Sequence, residues 1–369
     1  MPRKKKVNDT ESGLSSEDQI QSYLDQNKDD HYNYEDDHDY LVSSGSLILD
    51  LEMGGGIRPG IVRLSGASGA GKTSCALSFA KNFQDNVDKS KVVYIRSEGR
   101  LSKEILDRSG VDQDDKKWFC YDSNIFESAI GLIRNLVFRN DEDRRYMFII
   151  DSMDALIRKE DSDREFGEAN KVAGGALLTS QFLQKMALSF VKKGHICLMI
   201  SQVRSTVTIN PYQKVDPKLT NASGGNAALH YSDWILEFQK SFKGDTFTKK
   251  VKGKDVEIGH KCKIYFRKTP NEKVGSLVEY PIKHGMVGGK SIWVEREVMD
   301  MMLMWDMIAA KGAWITVTDE TLEDFKSNGI EFEKQHQGQE AFHKYLEEKP
   351  EAVEFIFNKF KDILSNEAL

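Results

Sequence analysis

One segment near the start of the chain constrains the fold more than any other. Residues 61–64 form a short apolar run, a glycine-rich stretch follows, and a segment with helix-forming residues begins at Lys72. Gly66 to Thr73 fits the pattern G-x-x-x-x-G-K-[ST], in which backbone N–H groups at a helix N-terminus surround phosphate oxygens. The alternative is a flexible glycine-serine turn that matches the pattern by chance, but such a turn would not need a strand before it and a helix after it. The sequence therefore predicts a strand–loop–helix unit, a P-loop, that binds a nucleoside triphosphate.

The P-loop assigns a set of candidate contacts to the nucleotide. Lys72 would reach the β- and γ-phosphates, and Thr73 would hold Mg²⁺. The positions expected to contact the nucleotide are Gly66, Ala67, Ser68, Gly69, Ala70, Gly71, Lys72, Thr73 and Ser74.

Composition limits the class of protein. The chain has 369 residues, of which 39% are apolar and 30% charged, enough for one large domain and a smaller one. No stretch has the length and apolarity of a transmembrane helix, and the basic N-terminus lacks the apolar region of a signal peptide. We therefore expect a cytoplasmic protein without a membrane anchor. The widely spaced cysteines favour buried free thiols over a disulfide framework or a zinc site: Cys75, Cys120, Cys197 and Cys262.

Charge is unevenly distributed. The net charge of −6 comes from residues 1–40, which carry 5 basic and 11 acidic side chains, so the remainder is neutral. Within the remainder, residues 240–273 contain 11 Lys or Arg against 4 Asp or Glu. This segment is either a solvated lysine-rich hairpin or a footprint for a phosphate backbone, and its charge favours neither interpretation. The acidic overall charge therefore does not exclude a polyanionic partner.

The order of apolar segments indicates the fold class. The first 40 residues are polar, with a weak helical pattern around residues 20–24 that predicts a short docking helix. Further on, strand-like and helix-like segments alternate, which predicts an α/β fold with a mostly parallel sheet covered by helices. The predicted strands are residues 61–64, 91–96, 146–150, 195–200, 234–238 and 261–266. The predicted helices include residues 73–83, 126–138 and 175–191.

After about residue 285 the pattern changes to helices, at residues 295–310 and 338–365. We therefore expect three parts: an acidic N-terminal tail (1–42), a nucleotide-binding core (43–285) and a small C-terminal domain (286–369).

Three polar residues follow predicted strands, at the edge where the carboxyl ends of parallel strands meet the P-loop. Asp151 could hold a metal ion with Thr73, although such an aspartate on its own usually caps the next helix. Glu98 could orient the attacking water in phosphoryl transfer, although in isolation it would be an ordinary loop glutamate. Gln202 could sense a γ-phosphate through its amide. Together with the P-loop, these residues predict a site for phosphoryl transfer.

A long polar segment, residues 203–225, follows Gln202. Its length and its content of Thr, Asn, Pro and Gly leave two interpretations open, a disordered insertion or a loop that becomes ordered on nucleic acid. In the second case its basic residues would contact phosphates and its apolar residues would meet bases: Arg204, Lys214 and Lys218, and Val207, Ile209 and Tyr212.

Several motifs occur in a fixed order along residues 41–364. They are residues 43–50, 54–60, 66–73, 97–98, 148–152, 200–204, 224–227 and 311–314, followed by a helical segment at 338–364. Together they resemble the RecA family of recombinases, which includes the phage UvsX-type proteins. The resemblance implies a RecA-type P-loop NTPase core with a small C-terminal α/β domain, in a bacterial cell or a phage-infected host.

The resemblance implies a role for each matched residue. Lys72, Glu98 and Gln202 would be catalytic, acting on the phosphates of ATP, on the attacking water and as the γ-phosphate switch. Thr73 and Asp151 would hold Mg²⁺, with Asp151 also part of the nucleotide site.

Two loops, residues 158–175 and 203–225, would bind DNA. The implied contacts are Lys171, Arg204, Val207, Ile209, Tyr212, Lys214, Lys218, Gly224, Gly225 and Asn226. Arg267 and Lys268 would contact the nucleotide of a neighbouring subunit, in a register left open by the departure from the family at residues 270–273. A second departure is Ile105, where an adenine-contacting tyrosine is expected.

The family implies ATP-dependent DNA strand exchange by a DNA-dependent ATPase. Subunits would form a helical filament on single-stranded DNA, pair it with homologous duplex DNA, and work with single-strand-binding and mediator proteins in recombination and repair. Two other classes stay open, a hexameric helicase or other ATP motor, and a mediator that binds DNA without productive turnover. A filament rather than a closed ring would exclude the first, and DNA-stimulated ATP hydrolysis would exclude the second.

Overall fold

The computed structural model describes residues 15–34, 38–99, 101–165, 174–204, 221–222 and 225–367. The chain divides into two compact units, residues 1–37 and residues 38–369.

The first unit contains one α-helix among its described residues, α1 (Ser16–Gln26). A capping box starts this helix, because the Ser15 hydroxyl accepts the Asp18 N–H and the Asp18 carboxylate accepts the Ser15 N–H. The helix includes the predicted segment 20–24, and its Ile20 and Tyr23 side chains are exposed. The helical expectation is confirmed, whereas docking by α1 stays a prediction.

The second unit is built around a sheet of ten strands in the described residues. In chain order they are β1 (Gly60–Gly66), β2 (Ser90–Arg96), β3 (Trp118–Asp122), β4 (Arg145–Asp151), β5 (Ile196–Arg204), β6 (Asn221–Ala222), β7 (Trp234–Phe238), β8 (Thr246–Val251), β9 (Lys254–Lys268) and β10 (Leu277–Lys283).

The strand order across the sheet is β10-β9-β7-β1-β5-β4-β2-β3, with β6 paired to β5 and β8 to β9. Strands β7 to β3 are mutually parallel, whereas β9 and β10 add antiparallel to the β7 edge. All six predicted strands lie in this sheet, so the mostly parallel α/β fold is confirmed. β1 occupies the centre, and its last residue, Gly66, lies in register with Gln202 of β5.

Helices cover both faces of the sheet. Val62 and Leu64 of β1 pack with the helix after the P-loop, whereas Ile61 points to the opposite face, because side chains alternate along a strand. The helices of this region are α2 (Leu47–Met53), α3 (Lys72–Asn86), α4 (Lys103–Ser109), α5 (Phe126–Phe138), α6 (Lys159–Ser162), α7 (Gly174–Lys192) and α8 (Gly225–Tyr231).

The apolar core of the C-terminal segment consists of aromatic, methionine and aliphatic side chains and also includes Leu47 of α2. Its elements are α9 (Val294–Met304), β11 (Ile308–Lys311), β12 (Trp314–Val317), α10 (Asp319–Ser327), β13 (Gln335–Gln337), α11 (Gln339–Glu348) and α12 (Pro350–Glu367). The strands form a small antiparallel sheet in the order β11-β12-β13. The boundary between this segment and the core at residue 285 stays a prediction.

Two predicted helices in this segment have the wrong bounds. The helix expected at 295–310 ends at Met304, Asp306 follows with a φ of 54°, and the chain then enters β11. The helix expected at 338–365 is two helices, α11 and α12. They separate at Pro350, because proline lacks an N–H and disfavours helical geometry in the residue before it.

Two compositional expectations can be compared with the structure. Cys75, Cys197 and Cys262 are buried, and Cys120 is partly buried. Among the described helices, none has the length and apolarity to cross a bilayer.

A buried acid of the C-terminal segment binds the start of α2. Glu297 of α9 is fully buried, and its Oε2 accepts the Leu47 N–H at 2.9 Å while its Oε1 accepts the Ser46 hydroxyl. Burial raises the pKa of Glu297 to about 8, and burial raises the pKa of nearby Asp50 in α2 to about 6. The junction between the two cores therefore contains two acids that ionise less readily than usual.

We expect Glu297→Gln to alter the pH dependence of unfolding. A folded-state pKa above the unfolded value stabilises the fold below the unfolded pKa of 4.5, and this stabilisation is lost as pH rises through about 8. The variant lacks this loss, so its stability relative to the wild type should rise between about pH 5 and about pH 8.5. Urea denaturation midpoints at both pH values measure the effect. Glu320→Gln, at an exposed position of α10, is the control, and equal pH dependence in all three proteins would contradict the expectation.

Candidate nucleotide site

The P-loop adopts a backbone conformation that its glycines permit. Gly66, Gly69 and Gly71 have φ values of 142°, 74° and 100°, in the region that L side chains rarely adopt. A Cβ atom on Gly66 would lie 2.4 Å from the carbonyl oxygen of Phe238 in β7. Gly71 caps α3 without a side-chain hydrogen bond, so the first N–H groups of α3 remain available to an anion. The loop therefore offers the phosphate-binding turn that the sequence predicts.

The Lys72 side chain folds over this turn. Its Nζ donates hydrogen bonds to the carbonyl oxygens of Gly66 at 2.9 Å and of Ala67 at 2.6 Å. Burial lowers the pKa of Lys72, and the nearby carboxylates of Asp151 and Glu98 partly oppose that shift. The Lys72 amino group is therefore held over the turn by the two carbonyl oxygens.

Thr73 and Asp151 are in direct contact. The Thr73 hydroxyl donates to Asp151 Oδ2 at 2.9 Å, and the Tyr94 hydroxyl of β2 donates to the same oxygen at 2.5 Å. Burial is the main cause that raises the pKa of Tyr94, so its hydroxyl remains a donor. A hydroxyl and a carboxylate are the hard oxygen ligands that Mg²⁺ prefers, so this pair fits the ion.

Glu98 and Gln202 meet at the same edge of the sheet. Glu98 Oε1 accepts the Ser152 hydroxyl at 2.7 Å and the Gln202 side-chain amide at 3.3 Å. Ser152 is fully buried, and its carbonyl oxygen accepts the Ser97 hydroxyl at 2.6 Å. The carboxylate and the amide are thus held together beside the Asp151 strand end.

A cavity of about 280 Å³ opens beside the P-loop. Its lining includes Gly71 and Ser74 of the P-loop region, Ile105 of α4, and Ile282 and His284 at and just after the end of β10. The lining combines apolar and polar side chains, and a partly apolar enclosure next to a phosphate-binding turn suits the flat base of a nucleotide. Ile105, which occupies the position where an adenine-contacting tyrosine is expected, is part of this lining.

The predicted basic contacts to a neighbouring nucleotide have partners within the chain. Arg267 Nε donates to Glu237 Oε2 at 2.6 Å, and Lys268 Nζ donates to the carbonyl oxygens of Leu229 and His230, both at 2.8 Å. Lys268 thus caps the last turn of α8, and contact with another subunit stays a prediction.

Most predicted DNA contacts lie outside the described residues, namely Lys171, Val207, Ile209, Tyr212, Lys214, Lys218 and Gly224. Only the backbone is described for Arg204, which ends β5, and for Gly225 and Asn226, which begin α8.

The comparison with known proteins agrees with this arrangement. The model of the RecA N-terminal domain family matches residues 32–276, which is two-thirds of the chain and includes the P-loop, Glu98, Asp151 and Gln202. The chain belongs to the RecA family of recombinases.

Individual RecA proteins match over most of their length. The chain is 26% identical to the RecA protein of Rippkaea orientalis over 324 residues, which cover 88% of this chain and 82% of the relative. It is 28% identical to RecA of Nostoc punctiforme over 329 residues, with 89% and 81% coverage. It is 29% identical to RecA of Halalkalibacterium halodurans over 326 residues, with 87% and 82% coverage.

The structure brings Lys72, Thr73, Glu98, Asp151 and Gln202 of this RecA-family chain to one edge of the sheet. The roles assigned to these five residues remain predictions.

Sequence reasoning missed four residues that contact this group or its neighbour Ser201: Tyr94, Ser152, Asp154 and Arg63. Ser152 could have been found from its position directly after Asp151. Arg63 could have been recognised as unusual, since it is a charged residue within an otherwise apolar predicted strand.

Proposed function

We propose that this RecA-family protein is a DNA-dependent ATPase that catalyses DNA strand exchange as a helical filament on single-stranded DNA. The observation that carries the proposal is the convergence, at one edge of the sheet, of a P-loop lysine, a Thr–Asp pair, a carboxylate and the Gln202 amide. In this arrangement each residue has a distinct part in ATP hydrolysis.

Lys72 would stabilise charge on the phosphates. Its ammonium lies over the P-loop turn, so ATP binding would exchange the Gly66 and Ala67 carbonyl oxygens for phosphate oxygens. The N–H groups at the start of α3 would contact the same phosphates. Donors fixed in advance lower the barrier because little reorganisation is needed during the reaction.

Thr73 and Asp151 would hold Mg²⁺, which when bound neutralises phosphate charge. Tyr94 fixes the Asp151 carboxylate through its hydroxyl, so this ligand is oriented before the ion arrives.

Glu98 would orient the attacking water and accept its proton. Among the described residues, both donors to Glu98 contact Oε1, which leaves Oε2 for the water. Gln202 would act as the switch, because an amide that turns toward a γ-phosphate must release Glu98. Loss of the γ-phosphate would restore the Glu98 contact and change the segment after β5.

That segment would be the main DNA-binding loop. Val203 and Arg204 of β5 pair with Ala222 and Asn221 of β6, which brings the two ends of the segment together. This short ladder supports an anchored loop rather than a free insertion, and it starts directly after Gln202. We propose that ATP binding and DNA binding are coupled through this connection.

A strand-exchange assay tests the function. The purified protein, ATP, Mg²⁺ and single-stranded DNA are mixed at one stated salt concentration with either a homologous or a heterologous duplex. We expect joint molecules only with the homologous duplex and only with ATP, and helical filaments by negative-stain microscopy. Closed rings with duplex unwinding would indicate a helicase, and DNA binding without turnover would indicate a mediator.

We expect replacement of both Arg204 and Lys214 by alanine to weaken binding to single-stranded DNA without regard to sequence. Each lost phosphate contact should flatten the log–log salt dependence by about 0.7. Fluorescence anisotropy over a salt series measures both effects, and ATP binding without DNA should be unchanged because the P-loop is a separate segment. If affinity and salt slope equal those of the wild type, the basic segment at 240–273 becomes the better candidate for the DNA site.

A further inference from the structure

Asp154 follows the strand that ends at Asp151 and reaches across to β5. Its Oδ2 accepts the backbone N–H of Gln202 at 2.5 Å. Its Oδ1 is buried and has no hydrogen-bond partner among the described residues. The contact holds the backbone of Gln202, whereas the Gln202 side chain points to Glu98.

Arg63 approaches the same place from β1. It is only 4% exposed, in the middle of the central strand, and its Nε donates to the Ser201 hydroxyl at 2.9 Å. Burial lowers the pKa of Arg63, and the negative charge of Asp154 partly offsets this shift. A charged side chain is rarely buried in a central strand without opposite charge nearby, and Asp154 supplies negative charge near Arg63.

The two residues therefore fix consecutive positions of β5. Arg63 holds the Ser201 side chain, and Asp154 holds the N–H of Gln202. Both contacts precede the point at which the chain leaves for the segment 203–225. Arg63 also belongs to the strand that ends in the P-loop, and Gly66 lies in register with Gln202.

We infer that Arg63 and Asp154 are positioning residues that set the backbone of Gln202, so that its amide reaches Glu98 in one state and the γ-phosphate in the other. The inference rests on the proposed function of Gln202. It assigns the accuracy of the switch to two residues of opposite charge that contact Ser201 and the Gln202 backbone.

Asp154→Ala tests the inference. Loss of the acceptor frees the Gln202 backbone, so we expect kcat for DNA-stimulated ATP hydrolysis to fall by about tenfold to 10²-fold, as for a misplaced catalytic group. KM for ATP should stay within about twofold, because the phosphate-binding turn is unchanged. Amide hydrogen exchange of peptides that contain Gln202, measured without nucleotide, should become faster.

Three further variants separate positioning from stability. Asp154→Asn keeps an oxygen acceptor for the Gln202 N–H and should retain most of the activity and the slow exchange. The double variant Arg63→Met, Asp154→Ala removes both charges, so that no buried arginine is left without a nearby negative charge, and it should recover thermal stability without recovering kcat. Asp233→Ala removes the same kind of bond, a carboxylate that accepts the Ile61 N–H at 2.8 Å, at the opposite end of β1. It should lower stability without changing kcat.

Normal kcat and unchanged exchange at Gln202 in Asp154→Ala would overturn the inference, as would recovery of kcat in the double variant. Failure of the proposed function has a different signature. In that case the wild type would not hydrolyse ATP, while hydrogen exchange would still report whether Asp154 holds Gln202.

Discussion

Glu98→Gln should bind ATP and remain on DNA while its rate of ATP hydrolysis falls by roughly 10²-fold or more, the usual effect of losing a general base. The glutamine oxygen can still accept the Ser152 hydroxyl and the Gln202 amide, so the local geometry is preserved. What is lost is the negative charge that orients and deprotonates water. Steady-state hydrolysis with saturating DNA measures the loss, and ATP-dependent retention on DNA shows that binding survives.

Glu104→Gln is a matched control for this experiment. Glu104 is exposed in the first turn of α4, so its amide variant should hydrolyse ATP at the wild-type rate. Normal turnover by Glu98→Gln would mean that the catalytic carboxylate lies elsewhere.

Lys72→Ala should reduce hydrolysis by about 10²–10³-fold, the range for removing one donor fixed in advance at a reacting centre. The loss should appear in ATP affinity as well as in kcat, since Lys72 would contact phosphates in the bound and the reacting states. The hydrogen bonds that the variant loses are confined to two carbonyl oxygens of the same loop, so the variant should stay folded. Hydrolysis rates, equilibrium ATP binding and a thermal melt together measure these effects.

Lys81→Ala provides the comparison for Lys72. Lys81 lies on the same helix, where it pairs with Asp85 on the surface. We expect little change in turnover, because surface ion pairs contribute about 0–1 kcal/mol and this pair is remote from the phosphates. Wild-type hydrolysis by Lys72→Ala would exclude this P-loop as the working site.

The sheet of the core could be predicted because its parallel strands are buried on both faces. Such strands are nearly continuous apolar runs, and the interval predicted at 234–238 coincides with β7. The edge strand β3 was not predicted, since it is short and partly exposed. Strands β11 to β13 were also missed, because three or four residues are too few to establish a period of two.

The candidate site could be predicted for those residues whose place after a predicted strand is enough to put them at one edge of the sheet. Glu98 follows β2, Asp151 ends β4, and Gln202 lies where the parallel pairing of β5 with β1 ends; such strand ends share one edge of a sheet. The contact between Arg63 and Ser201 depends on β1 lying next to β5, which no local pattern reveals. The contact between Tyr94 and Asp151 could not be predicted either, because the Tyr94 ring belongs to the core and only its hydroxyl reaches Asp151.

Glu297 has a consequence for hybrid proteins assembled from different RecA relatives. The two donors that it accepts, Ser46 and Leu47, precede the P-loop, whereas Glu297 lies beyond the matched RecA N-terminal domain. A foreign C-terminal segment with an apolar side chain at this position would leave both donors buried and unpaired, at a cost of about 1–3 kcal/mol each. We therefore expect an exchanged C-terminal segment to lower the stability of the hybrid unless it supplies an acceptor at position 297 for the Ser46 hydroxyl and the Leu47 N–H.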